Sequence, residues 1–328
     1  MIAHRSLRLF VLPLIAGAAV AACSASGGTG NTFTSSSSGA GGSSSGSGGA
    51  TGSSGAGADD STGAGLFDGG FGGSGAGGGT PGCAAETQFV YTLTADNELY
   101  RFNPPTLEFT LVGVLDCPTA FASPYSMAVD RDGHAWSVFT DGSLFTIDTK
   151  NAHCTATSFA PGQHGFLTFG MGFSANAPGS SAETLFVTDS ALGSGSTQGL
   201  AKIDTQTMVL TPIAAYDKIA ARAEMTGTGD ARLFGAFEGS PYVVAEIDKP
   251  TAHILSQAPQ TAINYAPGSS NFAFAFWGGD FWLFVGPGFS TDVFRYRPSD
   301  GTTVLMTTVP QVIVGAGVST CAPIKPPT

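Results

Sequence analysis

One short pattern recurs five times after residue 83 and limits what this chain can fold into. Each copy alternates apolar and polar residues over four positions and then turns, with Pro or Thr nearby. The turn positions are 45, 56, 44 and 49 residues apart. These periods are close to the four-stranded repeat of a β-propeller blade. The turn positions are Asn103, Asp148, Asp204, Asp248 and Arg297.

The stretch 126–148 is the clearest copy and predicts three strands joined by two tight turns. Asp132-Gly133 and Asp141-Gly142 supply the turns, because Asp-Gly pairs suit hairpins. The apolar runs are four to six residues long, which is too short for helices. The chain is therefore predicted to be all-β.

A second apolar segment rich in small residues precedes four of the five copies, and its position predicts how the ring closes. The first copy lacks this segment, and the missing one occurs at residues 312–318. We infer that the C-terminal strand is the inner strand of the first blade. An open β-sandwich is the alternative, but it does not explain the displaced segment. The predicted blades are residues 312–318 with 88–115, then 124–159, 166–214, 222–260 and 271–310.

The sequence DRDGHAW from Asp130 to Trp136, followed by GSLFTID at 142–148, resembles the blades of NHL-type and streptogramin-lyase-like propellers. One copy matches the whole motif, and the other four match only its second half. The resemblance implies the fold, whereas propellers host many unrelated functions. A lyase of this type would also place histidines near a metal at the channel. His134 lies in a blade turn that could face the channel, and nothing else assembles around it.

Residues 1–22 have the layout of a signal peptide, with Arg5 and Arg8 before 14 apolar residues. The segment is too short to span a bilayer. It ends in VAAC, which resembles the lipobox of bacterial lipoprotein precursors and implies a lipid on Cys23. Ser24 follows instead of Asp, which under the sorting rule of that family implies an exported protein in the outer membrane. An ordinary cleavage site beside an incidental cysteine is the alternative.

Residues 23–82 are predicted to be a disordered tether. Gly and Ser make up 37 of the 59 residues from 24 to 82, and Lys and Arg are absent there. Such a segment cannot bury enough apolar surface to offset its chain entropy. Its coil dimension would be about 40–45 Å. Residues 83–328 form the predicted propeller domain.

The charge of the chain excludes nucleic acid as a partner. The formal net charge is −11, only 11% of the residues are charged, and Lys and Arg form no cluster. We predict a monomer without a cofactor. The expected partners are the membrane, through the lipid anchor, and a glycan or a protein at the cell surface.

Four cysteines besides Cys23 predict two disulfides, for which three connectivities exist. Ring closure favours Cys83–Cys321, because Cys321 follows the closing strand and Cys83 precedes the strand that pairs with it. Cys117 and Cys154 then remain as the second pair. A bridge that closes a loop as long as that of Cys83–Cys321 adds about 4–5 kcal/mol to the free energy of unfolding in the chain-entropy model. Metal binding is the rival interpretation, although no CxxC or CxxH spacing occurs.

Three acids near the predicted inner strands are the candidate catalytic residues: Glu224, Asp130 and Asp280. Some five-bladed propellers are glycosidases, whose chemistry needs two carboxyl groups about 5–10 Å apart. A carboxylate that accepts backbone N–H bonds at a blade junction is the alternative role of Glu224.

Two further candidate sites have structural alternatives. Asp130 and Asp132 begin an Asp-x-Asp-Gly calcium loop, but the later ligands are missing and a hairpin turn explains the motif as well. Trp277 and Trp282 flank a turn and would form a sugar-stacking platform if exposed, or inter-blade core if buried.

The sequence predicts a non-catalytic binding or scaffolding propeller at the cell envelope, with an unspecified ligand. The competing hypothesis is an extracytoplasmic hydrolase that acts on glycans through inner-strand carboxylates. A third hypothesis is a structural role in envelope assembly.

Overall fold

A computed structural model describes residues 82–190, 198–268 and 271–326. The predicted signal peptide, Cys23 and the tether up to residue 81 lie outside the described residues. The described chain contains two single-turn 3-10 segments, Ala85–Gln88 and Gln163–Gly165, and is otherwise built of strands and connecting turns.

Twenty strands form the described part of the chain. They are β1 (Val90–Thr94), β2 (Glu98–Asn103), β3 (Glu108–Val114), β4 (Pro124–Val129), β5 (His134–Phe139), β6 (Leu144–Asp148), β7 (Cys154–Ala156), β8 (Phe169–Ala175), β9 (Glu183–Asp189), β10 (Leu200–Asp204), β11 (Val209–Ala214), β12 (Ala223–Gly227), β13 (Leu233–Phe237), β14 (Tyr242–Ile247), β15 (Ile254–Gln260), β16 (Asn271–Trp277), β17 (Asp280–Gly286), β18 (Thr291–Arg297), β19 (Thr302–Val309) and β20 (Ile313–Val318).

The strands pair into five antiparallel four-stranded blades, which confirms the predicted five-bladed propeller. From the centre outwards the blades are β20-β1-β2-β3, β4-β5-β6-β7, β8-β9-β10-β11, β12-β13-β14-β15 and β16-β17-β18-β19. The inner strands contact one another in the closed cycle β20, β4, β8, β12, β16 and back to β20. The C-terminal strand β20 pairs with β1, so the first blade takes its inner strand from the end of the chain as predicted.

Glycines let the inner strands approach closely around the axis. A Cβ on Gly170 would lie 2.0 Å from the Ala223 carbonyl oxygen, and one on Gly227 would lie 2.2 Å from the Phe173 oxygen. Both contacts join β8 to β12, and their order shows that the two strands run in the same direction. Small residues in the inner strands are therefore a requirement of the ring.

The two faces of β16 pack against different blades because its side chains alternate. Phe272, Phe274 and Phe276 join the buried cluster of blade 4. Ala273 and Ala275 face the cluster of blade 1 on the other side. The three phenylalanines therefore pack between blades 4 and 5, and the hydrophobic core is divided among the blade interfaces.

Two disulfides tie neighbouring parts of the ring together, with the predicted connectivity. Cys83–Cys321 joins the segment before β1 to the segment after β20. Cys117–Cys154 joins the end of blade 1 to the outer strand of blade 2.

Candidate functional site

The central channel has two ends that differ in chemistry. We call the end at which the inner strands begin the upper mouth, and the end at which they finish the lower mouth. The upper mouth is marked by the first residues of the inner strands, Pro124, Phe169, Ala223, Asn271 and Ile313. The lower mouth is marked by their last residues, Val129, Ala175, Gly227, Trp277 and Val318.

The upper mouth contains a cavity of about 260 Å³. Side chains from four blades converge on it: Tyr125 from blade 2, Arg222 and Glu224 from blade 4, Asn271 from blade 5 and Val314 from blade 1. Polar groups that converge on a small, partly apolar hollow are typical of a ligand site.

Glu224 is the central polar group of this cavity. Its side chain lies on β12 and the residue is only 3% exposed. The Ser126 hydroxyl on β4 donates a hydrogen bond of 2.6 Å to its Oε2 across the channel. Burial raises the pKa of Glu224 well above its ordinary value, and the Ser126 bond opposes that rise only partly. Burial therefore favours the protonated carboxylic acid, which can both donate and accept a hydrogen bond.

Arg222 brings a positive charge to the cavity, but that charge is already paired. Its Nε and Nη2 bind both carboxylate oxygens of Glu238, the second at 2.7 Å. Its guanidinium carbon lies 4.8 Å from the ring centre of Phe272. A contact of 3.5 Å joins its Nη1 to the Tyr125 hydroxyl, whose pKa is raised chiefly by burial. The upper cavity is thus polar without carrying an unpaired charge on these groups.

The lower mouth holds a different carboxyl group in a closed network. The backbone N–H of Arg131 donates to Oε1 of Glu183 at 2.9 Å, and the Thr320 hydroxyl donates to Oε2 at 2.7 Å. The Arg131 guanidinium, in a residue only 7% exposed, donates to Thr320 at 3.1 Å and to the Cys83 sulfur at 3.2 Å. Burial raises the pKa of Glu183 to about 7. This network joins blades 2 and 3 to the segments before β1 and after β20.

The larger hollow, about 700 Å³, lies at the lower mouth. The segment after β20 runs along it and is fastened there. Gln88 donates to the Cys321 carbonyl at 3.2 Å, and the Gly278 N–H donates to the Pro323 carbonyl at 2.7 Å. We favour the smaller upper cavity as the ligand site, because side chains from four blades line it, whereas the segment after β20 runs along the lower hollow.

The structure does not bring the three predicted catalytic acids together. Glu224 lies in the upper cavity, whereas Asp130 follows the last residue of β4 and therefore lies towards the lower mouth. Asp280 begins β17 opposite Trp277, also at the lower end. Its Oδ2 lies 3.7 Å from Nε of Arg295, and its Oδ1 lies 3.4 Å from Nε of Arg297. Strand direction therefore separates Asp130 and Asp280 from Glu224.

The Asp-x-Asp-Gly motif builds a hairpin turn between β4 and β5. Oδ1 of Asp130 accepts the backbone N–H groups of Asp132 and His134 at 3.0 and 2.8 Å, and its Oδ2 accepts the Trp136 indole N–H at 2.9 Å. Gly133 has φ of +84°, as the turn requires. Within the described ranges no cluster of three His, Cys, Asp or Glu side chains is placed to hold a metal.

The two candidate tryptophans are engaged in packing. Trp282 is 3% exposed and lies edge-on against Phe102, with ring centres 5.3 Å apart, so it presents no face to a ligand. Trp277 is half-buried, and its indole N–H donates to the Gln88 carbonyl at 2.7 Å. Trp282 therefore belongs to the inter-blade core, and the half-buried Trp277 packs against the same cluster.

Sequence reasoning did not single out Tyr125, Arg222 or Glu183. The first two could have been found, because each lies beside the start of an inner strand and such positions meet at one mouth. Glu183 lies on a second strand, and its burial depends on Thr320, which is 137 residues away in sequence.

Comparisons with known proteins return solved structures at low sequence identity. No family model matches the sequence, and no curated protein matches it. A Dos1 propeller structure matches 63% of this chain at 15% identity with a TM-score of 0.37, and the match covers 52% of that chain, about half its length. A nidogen/laminin complex matches 70% of this chain at 9% identity with a TM-score of 0.45, covering 97% of that chain. Among the described residues, no helix is long and apolar enough to cross a bilayer.

Proposed function

We propose that this propeller is a non-catalytic binding module of the cell envelope whose ligand occupies the upper cavity. The observation that carries the proposal is the convergence of Tyr125, Arg222, Glu224 and Asn271 from three blades on one hollow. Burial favours the neutral form of Glu224 and the Arg222 guanidinium is paired with Glu238, so the site offers hydrogen bonds without the cost of an unpaired buried charge.

The signal peptide, the lipobox-like VAAC and the Gly/Ser-rich tether support placement at the envelope, in the outer membrane. The described chain begins at Gly82 beside the lower mouth, where the Ala84 N–H donates to the Arg131 carbonyl at 3.1 Å. Metabolic labelling with palmitate should label the protein and not its Cys23→Ala variant, and label on the variant would refute the anchor.

Ligand-observed NMR tests the binding site directly. The purified propeller is mixed with defined sets of soluble oligosaccharides, peptides and detergent monomers. We expect at least one binder, and Val314→Trp should abolish its signal because a large ring at this lining position fills the cavity. The matched control is Leu255→Trp on the outer strand β15, which should bind like the wild type. A binder that Val314→Trp leaves unaffected, or no binder at all, would overturn the proposal.

A hydrolase acting on glycans is the second candidate, and one observation favours it. A carboxylic acid kept protonated by burial is what a general acid requires. Glu224→Gln separates the two functions, since the amide keeps the shape and the neutral charge but cannot deliver a proton. The binding module predicts retained ligand affinity and no product with either protein when glycans are followed by mass spectrometry. Product formed by the wild type and lost in the variant would establish the hydrolase.

A further inference from the structure

Two aromatic side chains stand in solvent at the upper mouth. Phe121 is 100% exposed in the loop between β3 and β4, and Phe289 is 75% exposed in the loop between β17 and β18. They are the exposed large aromatic side chains of the described residues. Several other exposed apolar side chains are aliphatic and lie on outermost strands: Leu111, Val114, Val209, Leu255, Val304 and Leu305.

Each of the two loops adjoins the upper cavity. Phe121 lies two residues before Ser123, which lines the cavity. Phe289 follows Gly288, whose N–H donates to Oδ1 of the cavity residue Asn271 at 3.0 Å. The polar cavity and the two phenyl rings therefore belong to one surface of the propeller.

The ionisable groups that line the cavity are Tyr125, Arg222 and Glu224. Burial favours the neutral forms of the tyrosine and the glutamic acid, and Arg222 is paired with Glu238. An anionic ligand would have to compete with Glu238 for the guanidinium. Burial disfavours the ionised form of Glu224, so the cavity gives a cationic ligand little charge to pair with. The site therefore suits an uncharged ligand.

We propose that the ligand of the upper mouth is a neutral saccharide chain. One sugar enters the cavity and exchanges hydrogen bonds with Glu224 and Tyr125, while neighbouring sugars rest their C–H faces on Phe121 and Phe289. Sugars combine an apolar ring face with a rim of uncharged hydroxyl groups, which is the combination that this surface offers. A cavity of about 260 Å³ suits one sugar unit of a longer chain. This inference rests on the proposed function, since it names the ligand of the same cavity.

Calorimetric titration tests the inference with defined probes. The probes are neutral hexasaccharides of glucose, mannose, galactose and N-acetylglucosamine, an oligogalacturonate as the anionic saccharide, and phosphatidylglycerol vesicles as the lipid surface. We expect one neutral hexasaccharide to bind, and Phe121→Ala and Phe289→Ala each to weaken it by about tenfold. Both rings are exposed, so neither substitution threatens the fold. Leu255→Ala, 60% exposed in the wild type and away from the mouth, should leave the affinity unchanged.

The outcomes separate this inference from the proposed function. Preferential binding of the oligogalacturonate or the vesicles would overturn the saccharide assignment, and so would binding of a neutral hexasaccharide that both phenylalanine variants retain. If no hexasaccharide binds while a different ligand binds in a manner that Val314→Trp abolishes, the inference fails and the binding module stands. If Val314→Trp binds every probe as the wild type does, the proposed function fails as well.

Discussion

The two mouths of the channel each hold a carboxyl group with a raised pKa, yet they use it differently, and Glu224 is buried whereas Glu183 is partly buried. At the lower mouth, Glu183 accepts hydrogen bonds from Arg131 and Thr320 beneath the Cys83–Cys321 bridge. At the upper mouth, Glu224 has the Ser126 hydroxyl as its partner and faces a cavity. Glu183 accepts two hydrogen bonds from groups that it fastens together, whereas Glu224 accepts one and lines the upper cavity, where a ligand can meet it.

The largest expected effect concerns the lower mouth. Cys83→Ser with Cys321→Ser removes a bridge that spans 238 residues, and the chain-entropy model assigns such a loop about 5 kcal/mol. The same substitutions at Cys117 and Cys154 release a bridge that spans 37 residues, worth about 4 kcal/mol. Urea unfolding of both double variants measures the difference.

The contrast between the two bridges also tests the role of the lower mouth. The first double variant should lose more free energy of unfolding than the second, and its ligand affinity at the upper mouth should persist under folding conditions. Equal losses would contradict the dependence on loop length that the chain-entropy model assigns to the two bridges.

The pH dependence of stability should come next in size. The pKa of Glu183 is about 7 in the folded protein, raised mainly by burial and further by Asp130, above the ordinary 4.5. Its contribution to stability is therefore fully present below about pH 4.5 and is lost as the pH rises through about 7. The loss is at most about 3 kcal/mol, because one unit of pKa corresponds to about 1.4 kcal/mol.

Urea midpoints measured from pH 5 to pH 8 test this dependence. The wild type should lose stability as the pH rises, and Glu183→Gln should lose less because its amide does not ionise. The raised pKa of Glu224 also makes stability fall as the pH rises. Some dependence of stability on pH should therefore remain in Glu183→Gln. An unchanged slope in Glu183→Gln would show that this carboxyl group does not titrate in the predicted range.

The smallest expected effect is that of Glu224→Gln on stability at neutral pH. The native side chain is already neutral and keeps its Ser126 contact, so the amide should change the free energy of unfolding by less than about 1 kcal/mol. Thermal unfolding of the variant beside Glu224→Ala checks this, since the alanine leaves a buried hydroxyl without its partner and should cost more. A large loss in the glutamine variant would indicate an ionised Glu224 in the folded state.

The fold was predictable because its rules are local and repeated. Turn residues at blade-sized periods indicate the five blades, and the small-residue segment at 312–318 reveals the closing strand. The pairing Cys83–Cys321 followed from that closure.

The candidate site was only partly predictable. Glu224 stood out as a polar residue in an inner strand, but its partner Ser126 lies 98 residues away on a strand that shares no sheet with it. Asp130 and Asp280 were close to inner strands along the chain and yet lie towards the other end of the channel. Strand direction separates these two acids from Glu224, and a pattern of apolar and polar residues does not show strand direction.

Hydrogen–deuterium exchange with a saturating neutral hexasaccharide tests the division of roles between the mouths most directly. We expect slower exchange in peptides covering residues 119–126, 222–226 and 286–291 at the upper mouth. Exchange at residues 178–183 and 319–325 should be unchanged. Protection confined to the lower-mouth peptides would contradict it.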